Sequence, residues 1–175
     1  APDPPRIEHY TAAALREPLE ATADPRRLEA EVRGHLAAAD TPAGARPKAL
    51  VAPHAGYVYS GRVAGSAFRQ IAPWRGAITR VVLLGPSHFV PFAGLALPST
   101  RFFATPLGDV PVMADVASLL AALPQVVVAD LPHVREHALE VELPFLQVAL
   151  ERFELVPLVV GESGPEEVAE VLEQI

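Results

Sequence analysis

The sequence has no cysteine, and this absence restricts its chemistry. Disulfide bonds, thiol nucleophiles and thiolate metal ligands are excluded, so any metal ion must be held by histidine, aspartate or glutamate side chains. A chain without cysteine also fits a cytoplasmic location, which we expect for this protein.

Long apolar runs and a basic surface are missing as well. Apolar runs such as residues 81–84 and 126–129 are far too short to span a bilayer, and no charged-then-apolar signal segment opens the chain. The net charge is −7 and the isoelectric point is about 5.3, whereas nucleic-acid-binding domains usually carry a basic face. We therefore expect neither a membrane nor a nucleic acid as a partner.

What is present is apolar and rich in proline. Half of the 175 residues are hydrophobic, which excludes an intrinsically disordered protein and allows one domain with a sizeable core. Proline accounts for 19 residues, about twice its average usage. The prolines are spread between apolar segments, a distribution typical of many well-defined turns.

Short apolar segments alternate with helical patterns along the chain. Asp24-Pro25 is a typical helix start, and the apolar residues 49–52 and 81–84 predict buried strands that end at Pro53 and Gly85. Further strands are predicted at residues 94–97, 126–128 and 155–160, the last broken by Pro157, and further helices at 60–71, 113–123, 136–152 with a kink or restart at Pro144, and from 165 onwards.

This alternation predicts an α/β fold with a mostly parallel sheet and helices on both faces. Residues 1–23 give weak signals and are interpreted as a poorly defined N-terminal arm, and residues 24–175 as part of a single domain. Because a strand should follow the last helix in such a fold, we expect the chain to be truncated at its C-terminus.

Two histidines follow predicted strands in Gly/Pro turns. His54 lies just after the strand that ends before Pro53, and His88 follows the strand that ends at Gly85. Ligands of open α/β sheets bind at the carboxyl ends of strands, so the two imidazoles could converge on one metal ion. The alternative is that each is an ordinary hydrogen-bonded turn residue.

A third cluster of polar residues lies at 136–142. On a helix His137 and Glu140 would share one face, and so would Glu136 and Glu140. Such a pair could complete a metal shell or act as acid and base, but the spacing equally fits a solvated acidic face with one incidental histidine.

Other motifs are absent. There is no Gly-x-Ser-x-Gly elbow, which disfavours Ser87 as a hydrolase nucleophile, and there is no glycine-rich phosphate loop. Gly61 and Gly65 lie inside a helical pattern, where small residues are expected to let the helix approach the sheet.

Three segments together resemble the Memo family, also called AmmeMemoRadiSam system protein B. They are PHAGYVYSG at residues 53–61, LGPSH at 84–88 and EHALEVELPFLQ at 136–147, and the resemblance extends over roughly residues 24–175. It implies the fold of class III extradiol dioxygenases, which are non-haem iron enzymes.

The resemblance also implies roles for single residues. His54 and His88 would be metal ligands for iron, with copper or zinc as alternatives, and a third ligand is expected beyond residue 175. In an oxygenase His137 would act as acid or base with Glu140 fixing its tautomer, or the reverse. The residues expected to line the pocket are Tyr57, Ser87 and Glu136.

Three functions stay open at this point. The first is a dioxygenase-like enzyme that acts on a small-molecule substrate, which the sequence does not identify. The second is a non-catalytic module that binds a metal or a protein partner. The third is a zinc-type hydrolase, which needs three protein ligands and an open water position.

Overall fold

The computed structural model describes residues 24–40 and 44–175, so the predicted N-terminal arm lies outside the described residues. The helices and strands appear in this order: α1 (Pro25–Ala37), α2 (Tyr57–Arg69), a 3₁₀ turn (Ala72–Trp74), β1 (Arg80–Pro86), β2 (Leu95–Leu97), β3 (Phe102–Thr105), β4 (Gly108–Pro111), α3 (Val116–Leu120), β5 (Val126–Val128), α4 (Leu131–Val134), a second 3₁₀ turn (Glu140–Glu142), α5 (Leu143–Ala149), β6 (Glu154–Val160) and α6 (Pro165–Gln174).

Four of these strands form a mixed sheet in the order β1-β6-β2-β5, and β3 pairs with β4 in a separate hairpin. The pairs β1/β6 and β2/β5 are parallel, whereas β2 runs antiparallel to β6. The chain passes from β1 to β2 through residues 87–94 without a helix, and a connection this short does not support a parallel crossover. The α/β class is thus confirmed, with one antiparallel pairing inside the sheet.

Strand β6 joins two apolar cores, one on each face of the sheet. Leu155 and Val159 face a core built with α1, α2 and α5, while Val156 and Leu158 face a core built with α3 and α6. This alternation is the side-chain period of a strand buried on both faces. The expected break at Pro157 does not occur. The Leu155 carbonyl accepts a hydrogen bond from the Met113 amide on the side of β6 away from β1. Residues 155 and 157 direct their backbone groups to the same side of the strand, so the N–H that Pro157 lacks is not needed for pairing with β1.

The predicted strand at residues 49–52 is wrong. In the described part of the chain these residues pair with no strand. Val51 is 96% exposed, while Leu50 and Ala52 pack at the margin of the first core. An apolar run of four does not reveal that one of its side chains points outward.

The predicted helix at residues 136–152 is interrupted. Residues 136–139 are not helical, and α5 begins only at Leu143 with Pro144 in its first turn. Proline lacks the N–H of a continuing helix and its ring clashes with the carbonyl four residues earlier, so the helix restarts there. The shared helical face of His137 and Glu140 is therefore not formed.

The first helix is confirmed at its predicted start. The Asp24 side chain accepts hydrogen bonds from the backbone amides of Arg26 (2.8 Å) and Arg27 (3.2 Å), as an N-cap should. Among the described residues, no helix combines the length and apolar character that crossing a membrane requires.

Candidate metal centre

The turn after β1 places His88 at the carboxyl end of this strand. The Ser87 amide donates to the Val160 carbonyl of β6 (2.8 Å), and the Ser87 hydroxyl donates to the Val90 carbonyl (2.6 Å). Ser87 therefore stabilises the turn that presents the next side chain.

Gly85 lets a second loop approach this strand end. A Cβ atom on Gly85 would lie 2.8 Å from Leu139 Cδ2 and 2.9 Å from the Ala138 Cβ, closer than side chains tolerate. The absence of a side chain at Gly85 thus allows the loop of residues 136–139 to pack directly against β1.

The approach brings the buried Glu136 carboxylate beneath His88. Its Oε2 accepts the His88 backbone N–H (2.6 Å), and its Oε1 lies 2.8 Å from His88 Nδ1. Oε1 also accepts the backbone N–H groups of His137 (2.9 Å) and Ala138 (3.0 Å). One carboxylate therefore holds two segments that are 48 residues apart in sequence.

Three imidazoles gather around this carboxylate. The ring centroids of His54 and His88 are 5.3 Å apart, and those of His88 and His137 are 5.5 Å apart with only 13° between the ring planes. The structure therefore brings together the two histidines that the sequence proposed as ligands, and adds His137 beside them.

The electrostatics favour neutral imidazole at His54. Partial burial lowers the pKa of His54, and the neighbouring His88 and His137 lower it further, against an opposing effect of Glu136. Burial by itself would raise the pKa of Glu136, but the hydrogen bonds from His88 and Ala138 prevail and lower it. Histidine binds a metal ion as neutral imidazole, which is the state that these effects favour at His54.

An aromatic side chain borders the histidines. The Phe89 ring is 49% exposed and lies 6.3 Å from the His88 ring and 6.1 Å from the His137 ring, measured between centroids. The Arg135 guanidinium lies 5.4 Å from the Phe89 centroid, within cation–π distance. The border of the site therefore combines apolar surface with a positive charge.

Two other residues singled out in the sequence, Tyr57 and Glu140, have buried side chains. The Tyr57 ring packs against Phe145 in the first core, and its hydroxyl donates to the Val141 carbonyl (2.7 Å). Glu140 is buried and has neither a hydrogen bond nor an ion pair with His137 among the described residues. Their predicted places in the pocket and in acid–base chemistry stay predictions.

The donor set fits a divalent transition metal. Donor atoms of His88, Glu136 and His137 lie within 4.8 Å of one another. Two imidazoles that share an ion, with metal–nitrogen bonds near 2.1 Å, hold their ring centroids roughly 5 Å apart, and the His54–His88 separation matches this spacing. Imidazole nitrogens suit iron, zinc or copper better than magnesium or calcium.

The connection from Glu136 to His88 is the feature that sequence reasoning missed. Glu136 was expected to line the pocket and to share a helical face with Glu140, and nothing in its neighbourhood shows that its side chain reaches a residue 48 positions earlier. Its place immediately before His137 was the only available signal.

Comparison with known protein families shows which family the chain belongs to. A family model described as "Memo-like protein" matches residues 21–175, which include all three histidines and Glu136. The chain belongs to the Memo family. The resemblance seen in the three sequence segments is thereby confirmed.

Memo-family relatives come from distant organisms. The chain is 40% identical to a MEMO1 family protein of Thermotoga neapolitana over 68% of its length and 39% identical to one of Archaeoglobus fulgidus over 73%. It is 37% identical to Protein MEMO1 of Danio rerio over 83% of its length. The alignments cover 43%, 46% and 50% of these relatives, so the chain spans about half the length of the curated Memo proteins it matches.

Proposed function

We propose that this chain provides the histidine ligands of a non-haem iron site with dioxygenase-like chemistry. The observation that carries the proposal is the convergence of His54 and His88 at the carboxyl end of β1, with His137 stacked beside His88. Bound iron would supply a centre for activating dioxygen and substrate together.

The protein's own residues support the remaining steps. His54 and His88 would hold the metal through neutral imidazole nitrogens, and His137 would give or take a proton at the bound substrate. Phe89 and Arg135 favour a small aromatic substrate with a negative charge, since they offer a ring face and a cation beside the histidines.

The test is anaerobic titration of the metal-free protein with Fe(II). We expect one equivalent to bind the wild type, and the double variant His54→Ala/His88→Ala to bind none. His35→Gln is the matched control, because the His35 ring contacts Tyr57 and Phe145 and, among the described residues, none of the three clustered histidines. Equal binding by the wild type and the double variant would refute the site.

Oxygen uptake separates enzyme from binding module. The iron-loaded protein should consume dioxygen with a member of a panel of catechols and small aromatic acids, and the double variant should not. Iron binding without oxygen uptake would support the non-catalytic module. Ester or amide hydrolysis that depends on added zinc would support the zinc-type hydrolase.

A further inference from the structure

The Glu136 carboxylate is engaged by four donors of the protein itself. Each carboxylate oxygen offers two lone-pair positions. Oε1 is contacted by three donors, His88 Nδ1 and the amides of His137 and Ala138, and Oε2 accepts the His88 backbone amide. The side chain is also only 1% exposed. An ion at Oε1, the oxygen that contacts the His88 ring, would have to displace one of its three donors, at the cost of a buried unpaired donor.

These contacts also specify which nitrogen of His88 carries the proton. An ionised carboxylate only accepts hydrogen bonds, so the 2.8 Å contact requires a proton on Nδ1 of neutral His88. The lone pair is then on Nε2, at the other end of the ring. Free histidine in water favours the opposite tautomer, so the carboxylate must impose this one.

The same carboxylate restricts the ring's orientation. Because Oε2 binds the backbone amide of His88 while Oε1 contacts its ring, the ring is held relative to its own main chain. The two further bonds, to the amides of His137 and Ala138, connect this anchor to the loop that carries His137. Both histidines thus take their relative position from one buried group.

We propose that Glu136 is a positioning residue, which holds His88 in the Nδ1–H tautomer with Nε2 directed at the metal position. The metal part of this inference rests on the proposed function, whereas the tautomer is a property of the metal-free protein. A hydrogen-bonded carboxylate behind a ligating histidine typically raises metal affinity by about 10–100-fold.

The test is ¹⁵N NMR of histidine-labelled, metal-free protein at a pH where the imidazoles are neutral. Long-range proton–nitrogen correlations identify the protonated nitrogen of each ring, and a His88→Gln sample assigns the signal. We expect His88 to carry its proton on Nδ1. A wild-type His88 with its proton on Nε2 would overturn the inference without any variant at position 136.

In the variant Glu136→Gln, one side-chain oxygen must accept the hydrogen bonds that two oxygens now share. The new NH₂ group is itself a donor and would face another donor. We expect the His88 tautomer to become mixed and the affinities for Fe(II) and Zn(II) to fall about 10–100-fold. Glu142→Gln is the matched control: it changes another buried glutamate on the same segment, which has no hydrogen bond to a histidine among the described residues. This control should leave the His88 tautomer and the metal affinities unchanged.

The outcomes distinguish the two proposals. An Nδ1–H tautomer in a protein that binds no metal would refute the proposed function and keep the positioning role. Complete loss of metal binding in Glu136→Gln with an unchanged tautomer would show that Glu136 is itself a ligand and would overturn the positioning role. Unchanged tautomer together with unchanged affinity would overturn it as well.

Discussion

Two buried glutamates near the site take up protons when the chain folds. Burial raises the pKa of Glu140 to about 9 and that of Glu142 to about 8. Glu140 Oε1 also has no hydrogen-bond partner among the residues that the structure describes. At neutral pH both side chains are therefore protonated in the folded state, although they would be ionised in the unfolded chain.

Folding stability should consequently decrease as pH rises. For a group whose pKa is raised by folding, the stabilisation is fully present below its unfolded pKa and is lost as pH rises through its folded pKa. Each glutamate thus lowers the free energy of unfolding by about 1 kcal/mol per pH unit from about pH 5 to about pH 8. Glu140→Gln should make this decline less steep, as measured by urea denaturation across this range.

The exposed Glu166 on α6 provides the control for this measurement. The free energy of unfolding of the Glu166→Gln variant should decline with pH as steeply as that of the wild type. If Glu140→Gln showed the wild-type slope, Glu140 would not be protonated in the folded protein.

Among the elements, α1 and α2 approach unusually closely. A Cβ atom on Gly65 would lie 2.6 Å from the His35 carbonyl oxygen, and Gly61 faces the His35 ring. The small residues of α2 therefore serve contact with another helix, whereas the sequence suggested that they let α2 approach the sheet. A backbone atom cannot rotate away as a side chain can, so position 65 tolerates no methyl group.

Gly65→Ala should therefore destabilise the fold by about 2 kcal/mol, because the two helices must separate. Gly34→Ala in α1 is the matched control, since no atom of the described residues lies within 4 Å of its added methyl group. Alanine there should stabilise the protein by about 0.5–1 kcal/mol through its better helix propensity. Urea denaturation of both variants checks the signs, and a neutral or stabilising Gly65→Ala would contradict the close packing.

At the scale of the whole molecule, β6 holds the two cores together. It lies between β1 and β2, and Leu155, Val156, Leu158 and Val159 are all fully buried. The segment of residues 50–52, which leads to His54, is different: its amides donate no hydrogen bond among the described residues. His88 thus lies on an anchored turn, whereas His54 follows a segment without amide hydrogen bonds to the described part of the chain.

Hydrogen exchange of the metal-free protein should show this difference. Amides of β6 should exchange only through global unfolding, while those of residues 50–52 should exchange through local fluctuations, at least about 100-fold faster. Mass spectrometry of peptic fragments, or NMR, measures both segments in one sample. Protection at residues 50–52 equal to that of β6 would show that this segment is a strand after all.

Much of the fold could be predicted because its signals are local. A cap and a proline mark the start of α1, and a continuous apolar run bounded by Gly-Pro predicts β1. The same composition at residues 49–52 led to a wrong strand, since exposure depends on neighbours that lie elsewhere in the chain. His54 and His88 could be paired because both follow such segments in turns.

By itself, the sequence determined the α/β class, the restriction to nitrogen and oxygen ligands and the choice of two histidines that follow apolar segments, because residue type and short-range pattern suffice for these. Only the tertiary structure decided that Glu136 reaches His88 and that the His137 ring stacks on the His88 ring. That contact depends on Gly85, whose missing side chain lets a loop about 50 residues later pack against β1. A close approach of this kind is a property of the packed molecule, which no local pattern encodes.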